Sequence, residues 1–203
     1  MKHSLFGIML SLVLLLPFSA VAADEFQDPK AVVQTIVSGI IDVLEQREDK
    51  TKLVEADREK IRHIVNGRFD YAAMAKRSLG EPWMHLDEAE KAHFTDVFRQ
   101  LLEYSYGNRL KDYKGETVQY RDVEYRGSKA RVLTIVSDGT KDIPVEYRLH
   151  KTDHGWSVYD IRIEGASLVR TFYQDFQAQL AKLNYQQLVK ALEEKIARMK
   201  EEG

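Results

Sequence analysis

The hydrophobic period of this chain changes twice, and that double change restricts the fold more than any single motif. Up to about residue 110 the apolar residues recur at intervals of three and four. From Glu116 to Glu164 they tend to alternate at every second position, and after Ser167 the helical spacing returns. Helices first, strands second and helices again is the order of an α+β domain, not of an alternating parallel sheet. Asp28 and Pro29 form an N-cap and first-turn pair for a helix through about Gln46, with Val32, Val33, Ile36, Ile40, Val43 and Leu44 on its apolar side. A second helix is predicted over roughly Asp57–Val65, and a short third one behind Asp70. A long fourth helix is predicted behind the capping box Asp87-Glu88-Ala89-Glu90, with Gly107 bending or weakening its last turns.

The strand-like runs are Thr117–Arg126, Ala130–Ser137, Asp142–Lys151 and Gly155–Glu164. Gly127-Ser128, Asp138-Gly139 and Asp153-His154-Gly155 separate them, and connections this short favour an antiparallel meander. In the third run Ile143, Val145, Tyr147 and Leu149 share one face, while Glu146, Arg148 and His150 share the other, so one face is dry and one wet. Pro144 falls on the wet face and suits an edge position. After the fourth run, Gly165 frees the backbone to turn and Ser167 caps a helix carrying Leu168, Phe172, Phe176 and Leu180. A last helix follows Asn184. The reading is a single α+β domain with a curved antiparallel four-stranded sheet and helices before and after it on one face.

The N-terminus indicates export. Lys2 is followed by an apolar run from Leu5 to Leu16, by Pro17, and by Ala20-Val21-Ala22, the small-x-small pattern of a signal-peptidase site. The run is short of the roughly 20 apolar residues that cross a bilayer. A cleavable signal peptide over residues 1–22 is expected, cut after Ala22, leaving residues 23–203 as one domain in the periplasm. Loss of Lys2 takes the formal charge from −2 to −3, a near balance that argues against a nucleic-acid partner. The chain has no cysteine, so neither a disulfide nor a lipid-anchored cysteine is available and the core must hold the fold alone.

Three blocks resemble the MlaC-type periplasmic phospholipid-binding proteins, the toluene-tolerance family. They are Phe69-Asp70-Tyr71-x-x-Met74-Ala75 with Leu79-Gly80-x-x-Trp83, then Phe94-x-x-x-Phe98-x-x-Leu101-Leu102-x-x-Ser105-Tyr106, and the stretch Gly155–Phe176. Together with the element order and the signal peptide, the resemblance spans nearly the whole mature chain. It implies a carrier that takes phospholipid as cargo across the periplasm and maintains outer-membrane lipid asymmetry. The implied protein partners are an outer-membrane lipoprotein–porin complex and an inner-membrane ABC transporter complex with its substrate-binding subunit. No cofactor and no catalytic step are implied, and a monomer is expected. Acyl chains would lie between the dry sheet face and the helices, with the headgroup near solvent. Motion of the helix after Gly165 is a plausible gate.

Two long acyl chains need an apolar chamber, because each methylene kept from water is worth about 0.8 kcal/mol. The side chains available to line it are Phe69, Met74, Phe94, Phe98, Leu101, Leu133, Ile135, Val145, Tyr147, Ile161, Ile163, Val169, Phe172 and Phe176. The same residues are equally able to pack a solid core, as protein interiors usually do, which is the pattern of a periplasmic interaction module. A small-ligand enzyme on a cone-shaped α+β fold is a further alternative, in which Asp160 and Glu164, four apart on one strand face, form a carboxylate pair. Arg162 and other basic neighbours answer that pair more simply. His150 and His154 flank a turn, and His63, His85 and His93 are scattered, so no metal-ligand spacing is present. The last helix mixes both charge signs around Leu188, Leu192, Ile196 and Met199, which fits packing on the body better than lying on a membrane.

Overall fold

The computed structural model describes residues 28–201; the expected signal peptide and its cleavage site lie outside them. The helices start where side chains satisfy the free N–H groups. Asp28 accepts from Lys30 N (3.0 Å) at the head of α1 (Pro29–Gln46). α2 is Glu55–Val65, and α3 (Tyr71–Leu79) begins behind Asp70, which accepts from Ala73 N at 2.8 Å. A 3₁₀ turn, Glu81–His85, leads to α4 (Glu88–Leu110). Its capping box is formed on both sides, Glu90 N to Asp87 at 2.8 Å and Asp87 N to Glu90 at 3.0 Å. At the chain's end, α5 (Leu168–Leu180) is capped by Ser167, and Asn184 and Gln187 cap each other reciprocally at the head of α6 (Tyr185–Glu201).

The sheet runs β1 (Thr117–Arg126), β2 (Lys129–Ser137), β3 (Asp142–Thr152), β4 (Gly155–Ile163) and β5 (Ala166–Ser167), in that spatial order and antiparallel throughout. It therefore has five strands where the sequence reading gave four. Glu164 (φ 51°) and Gly165 (φ 84°) make a two-residue reversal, so Ala166 and Ser167 pair back onto Ile163 and Arg162 before the helix starts. Register shifts between Tyr120 and Val123 and between Arg148 and Leu149 mark bulges, which bend a sheet. Pro144 is not on an edge strand. β3 lies between β2 and β4, and Pro144 sits near its start, one residue before the pairing with β4 begins at Val145–Ile163.

Two apolar clusters hold the domain. One is built between helices, with Phe94, Phe98 and Leu101 of α4 against Phe172 and Phe176 of α5 and Leu188, Leu192 and Ile196 of α6. Its rings meet edge to face, for example Phe98 on Phe172 at 5.3 Å between centroids. The other packs Val32, Val33 and Ile36 of α1 on Ala130, Val132, Leu149, Trp156 and Val158 of the sheet. Arg47, 4% exposed at the end of α1, ties the two together. Its guanidinium donates to the carbonyls of Lys50 (2.8 Å), Leu110 (3.1 Å) and Lys111 (2.8 Å), two of which belong to the otherwise unpaired C-terminal end of α4.

Candidate functional site

Between the two clusters the packing is incomplete. A cavity of about 360 Å³ lies against the inner face of the sheet, where Val145 and Tyr147 of β3 stand beside Ile161 and Ile163 of β4. α1 contributes Ile40, α2 contributes Ile61 and Val65, and Phe69, Tyr71 and Met74 close the α3 side. Leu102, Tyr106 and Leu110 of α4 form the opposite wall, with Leu53 and Leu168 at the margins. A second space of about 340 Å³ adjoins it, sharing Ile40, Arg109, Leu110 and Tyr147 and continuing along Val37, Ile41, Val136 and Ile143. A depression of about 720 Å³ is larger, but it is formed mainly by charged and loop residues such as Glu45, Lys50, Lys111 and Lys114, and its chemistry is that of ordinary surface.

Residual exposure separates cavity wall from solid core. Phe94, Phe98, Leu101 and Phe176 retain no accessible surface, whereas Ile40, Val65, Tyr147, Ile161 and Ile163 are only half-buried although they face the protein's own interior. Tyr147 lines both spaces and is half-buried, and burial raises its hydroxyl well above the usual phenol range. Burial likewise pushes the Tyr71 hydroxyl up to about 12. Such a space matches ligand sites in volume and in its mainly apolar lining with a few polar groups.

Those polar groups are concentrated on α2 and α4. Glu103 accepts from Arg62 at 2.6 Å and from Arg99 at 3.1 Å, and these arginines also reach Glu55 (3.0 Å) and Asp96 (2.7 Å). The bond to Glu103 chiefly holds the Arg62 guanidinium in its charged form. Arg58 donates to Asn108 Oδ1 at 2.6 Å and stacks over the Tyr104 ring at 5.0 Å. Side chains thus carry much of the joining of α2 to α4 across the cavity. The carboxylates considered for proton transfer are engaged elsewhere: Asp160, 6% exposed, accepts from Ser167 Oγ (2.8 and 2.9 Å) and Val169 N (3.3 Å), and Glu164 pairs with Lys141 at 2.8 Å. His150 pairs with Asp70 at 2.8 Å, and among the described residues no three His, Cys, Asp or Glu side chains converge on a metal position.

The MlaC family model matches residues 34–194, most of the chain and every element that builds the cavity except the first turn of α1. The chain belongs to the MlaC family. Its fold is shared with a phospholipid-binding protein from Ralstonia solanacearum solved in complex with a phospholipid, at a TM-score of 0.77 and 23% identity over 85% of this chain and 98% of the other. The α+β architecture of the MlaC chain, an open antiparallel sheet with flanking helices, is therefore one already observed.

Of the side chains named from sequence for the pocket of this MlaC-family chain, Phe69, Met74, Val145, Tyr147, Ile161 and Ile163 stand on the cavity wall. Phe94, Phe98, Leu101, Val169, Phe172 and Phe176 lie in the helical cluster. Leu133 and Ile135 are on the outer sheet face, opposite Glu146 and Pro144, because β2 turns Val132, Thr134 and Val136 inward. The α2 and α4 wall was missed. Its signal is a second stripe on α4, Arg99, Leu102, Glu103, Tyr106 and Leu110, at helical spacing and offset from the stripe Phe94, Val97, Phe98, Leu101 that packs the core.

Proposed function

We propose that this protein is a periplasmic phospholipid carrier without a catalytic step, the acyl chains lying in the cavity against β3 and β4 and the headgroup remaining near solvent. The observation that carries this is the half-buried apolar wall of Tyr147, Ile161 and Ile163 facing α2 and α4, within a fold shared with a protein solved with phospholipid bound. Phospholipid leaving a membrane needs such a wall, since release into water opposes the whole hydrophobic term. The carrier exchanges cargo with an outer-membrane lipoprotein–porin complex and an inner-membrane ABC transporter complex, which open the cavity and take the lipid directly. The residues 1–22 that resemble a signal peptide deliver it to that compartment.

At about 360 Å³ the cavity sits at the small-ligand end of the usual range, so a two-chain lipid requires its walls to part. The start of α5 is fastened by Asp160 and by Ser78 Oγ on Val169 O (3.4 Å). α2, held to α4 by Arg58 and Arg62, is the wall that moves. A disulfide engineered between α2 and α4 locks it. In a fluorescent-lipid transfer assay between donor and acceptor vesicles, the oxidised form of such a variant is expected to lose transfer and the reduced form to regain it. Equal transfer by both forms, with the crosslink verified by mass, contradicts the moving-wall route.

A further inference from the structure

α2 is held in place differently from every other α-helix. Its buried residues are Asp57 and Arg58, both charged, whereas each of the other α-helices buries at least three apolar side chains. Ile61 and Val65 of α2 face the cavity and stay half-buried. Ile64 finds its seat on α1, where a Cβ on Gly39 would stand 3.1 Å from it. The N-cap residue is Val54, whose side chain cannot bond the free N–H groups of the first turn. An element with so little apolar burial opens locally at a smaller cost than the domain unfolds. Two arginines join it to α4. Arg58 is the fixed point: it is 5% exposed, donates to Asn108 at 2.6 Å and lies over the Tyr104 ring. Arg62, one turn on, keeps 35% of its side-chain surface.

Glu103 receives Arg62 through both carboxylate oxygens, Nη2 on Oε1 at 2.6 Å and Nε on Oε2 at 3.2 Å. Each partner also has a counter-charge on its own helix. Arg62 reaches Glu55, two turns back on α2, at 3.0 Å, and Glu103 accepts from Arg99, one turn back on α4, at 3.1 Å. Parting Arg62 from Glu103 therefore strands neither charge, and the penalty of leaving a desolvated ion unpaired is avoided. Such a contact can break and re-form while the rest of the fold stays closed. We propose that Glu103 is the clasp of the cavity, setting how often the C-terminal half of α2 swings off α4 and so the rate at which cargo is exchanged. This rests on the carrier reading, and it assigns the rate to an ion pair that salt screens, not to the apolar lining.

The test has two arms. Hydrogen exchange of the delipidated mature protein, read by mass spectrometry of its peptides, follows the opening of α2 with no lipid present. Glu103→Gln is expected to speed exchange at residues 61–65 about fivefold, the scale of one partly exposed ion pair, and to leave α5 and α6 at the wild-type rate. In the second arm, protein preloaded with a fluorescent phospholipid is mixed with phosphatidylcholine vesicles, which carry no net charge, and release is normalised to the lipid loaded. The wild type should release several-fold faster in about 0.5 M than in about 0.05 M NaCl. Glu103→Gln should release at the faster rate in both. Arg62→Gln, which leaves Glu103 paired with Arg99, is expected to match it and serves where Glu103→Gln fails to fold. Unchanged exchange at α2 overturns the clasp, as does release with the wild-type rate and salt response. A gain in hydrogen exchange spread evenly over all helices overturns it too, since the network is then merely structural. A folded wild-type protein that takes up no phospholipid removes the carrier reading, and the first arm still decides whether Glu103 holds α2.

Discussion

Replacing Ile161 with tryptophan distinguishes an open cavity from a closed core by the sign of a stability change. Ile161 is half-buried on the inner sheet face, opposite Tyr147, with the cavity beyond it. A tryptophan there places roughly 80 Å² of additional apolar surface into existing space. At ~25 cal/mol per Å² that is worth about 2 kcal/mol. Leu149 is the internal control. It is on the same face, opposite Ala130 and Val158, has no accessible surface, and is not part of the wall of either cavity described above. There the same enlargement overpacks the core and costs ~1–3 kcal/mol. For a domain of this size ~1 kcal/mol moves the melting temperature by about 2–4 °C. Differential scanning calorimetry of the delipidated proteins is therefore expected to show Ile161→Trp melting about 4–8 °C above wild type and Leu149→Trp melting below it. Ile161→Trp should also retain less lipid after exposure to vesicles. Destabilisation of both variants to a similar degree refutes the cavity.

Phe98→Ala, in the packed helical cluster, should cost ~3–5 kcal/mol in urea unfolding while leaving lipid stoichiometry unchanged in the folded fraction. Arg47→Met removes the donors that gather the α4 carbonyls; a loss of ~2–4 kcal/mol is expected from the same unfolding curves, and a loss under ~0.5 kcal/mol contradicts the role. Asp160→Asn weakens the cap of α5 and should lower stability by ~1–2 kcal/mol without altering bound phospholipid, which a lipid-phosphorus assay measures; an enzyme reading requires instead that a turnover disappear. Tyr71 binds its proton more tightly folded than unfolded, so between its ordinary value near 10 and about 12 the folded state holds more protons and stability falls as pH rises. Tyr71→Phe should flatten that alkaline decline in pH-dependent unfolding.

Much of the fold was legible because its signals are local. Asp28, Asp70, the Asp87–Glu90 box, Ser167 and Asn184 cap helices where the sequence placed them, and the glycine-containing breaks separate the predicted strands. The fifth strand was not legible, since two residues after a tight reversal carry no periodicity and exist only through pairing with β4. Pro144 misled for a related reason: near the start of an inner strand one missing N–H is tolerated, while the Pro144 carbonyl still accepts from Glu164 N at 2.9 Å on the β4 side.

The candidate site was half legible. β3 alternates, so Val145 and Tyr147 could be assigned to the inner face; β4 changes phase at its bulge, with Trp156 and Val158 inward before it and Ile161 and Ile163 inward after it. In β2 both alternating sets contain large apolar residues, and only the register with β3 shows that Leu133 and Ile135 point out. On α4 the apolar arc is wide enough to serve two neighbours, and pattern does not say which half meets solid core and which meets space. No local pattern in the sequence sets the arginines Arg58, Arg62, Arg99 and Arg109 apart. Their convergence on one cavity is a product of tertiary structure, of α2 folding back along α1 to face α4.

The most direct test of the carrier is the native mass of the mature protein purified from the periplasm, followed by organic extraction of whatever it holds. The account predicts a species heavier than the polypeptide by one diacyl phospholipid, with that lipid recovered in the extract and the bare polypeptide mass restored on denaturation. A folded protein whose native mass is that of the polypeptide alone, and remains so after incubation with phospholipid vesicles, contradicts it.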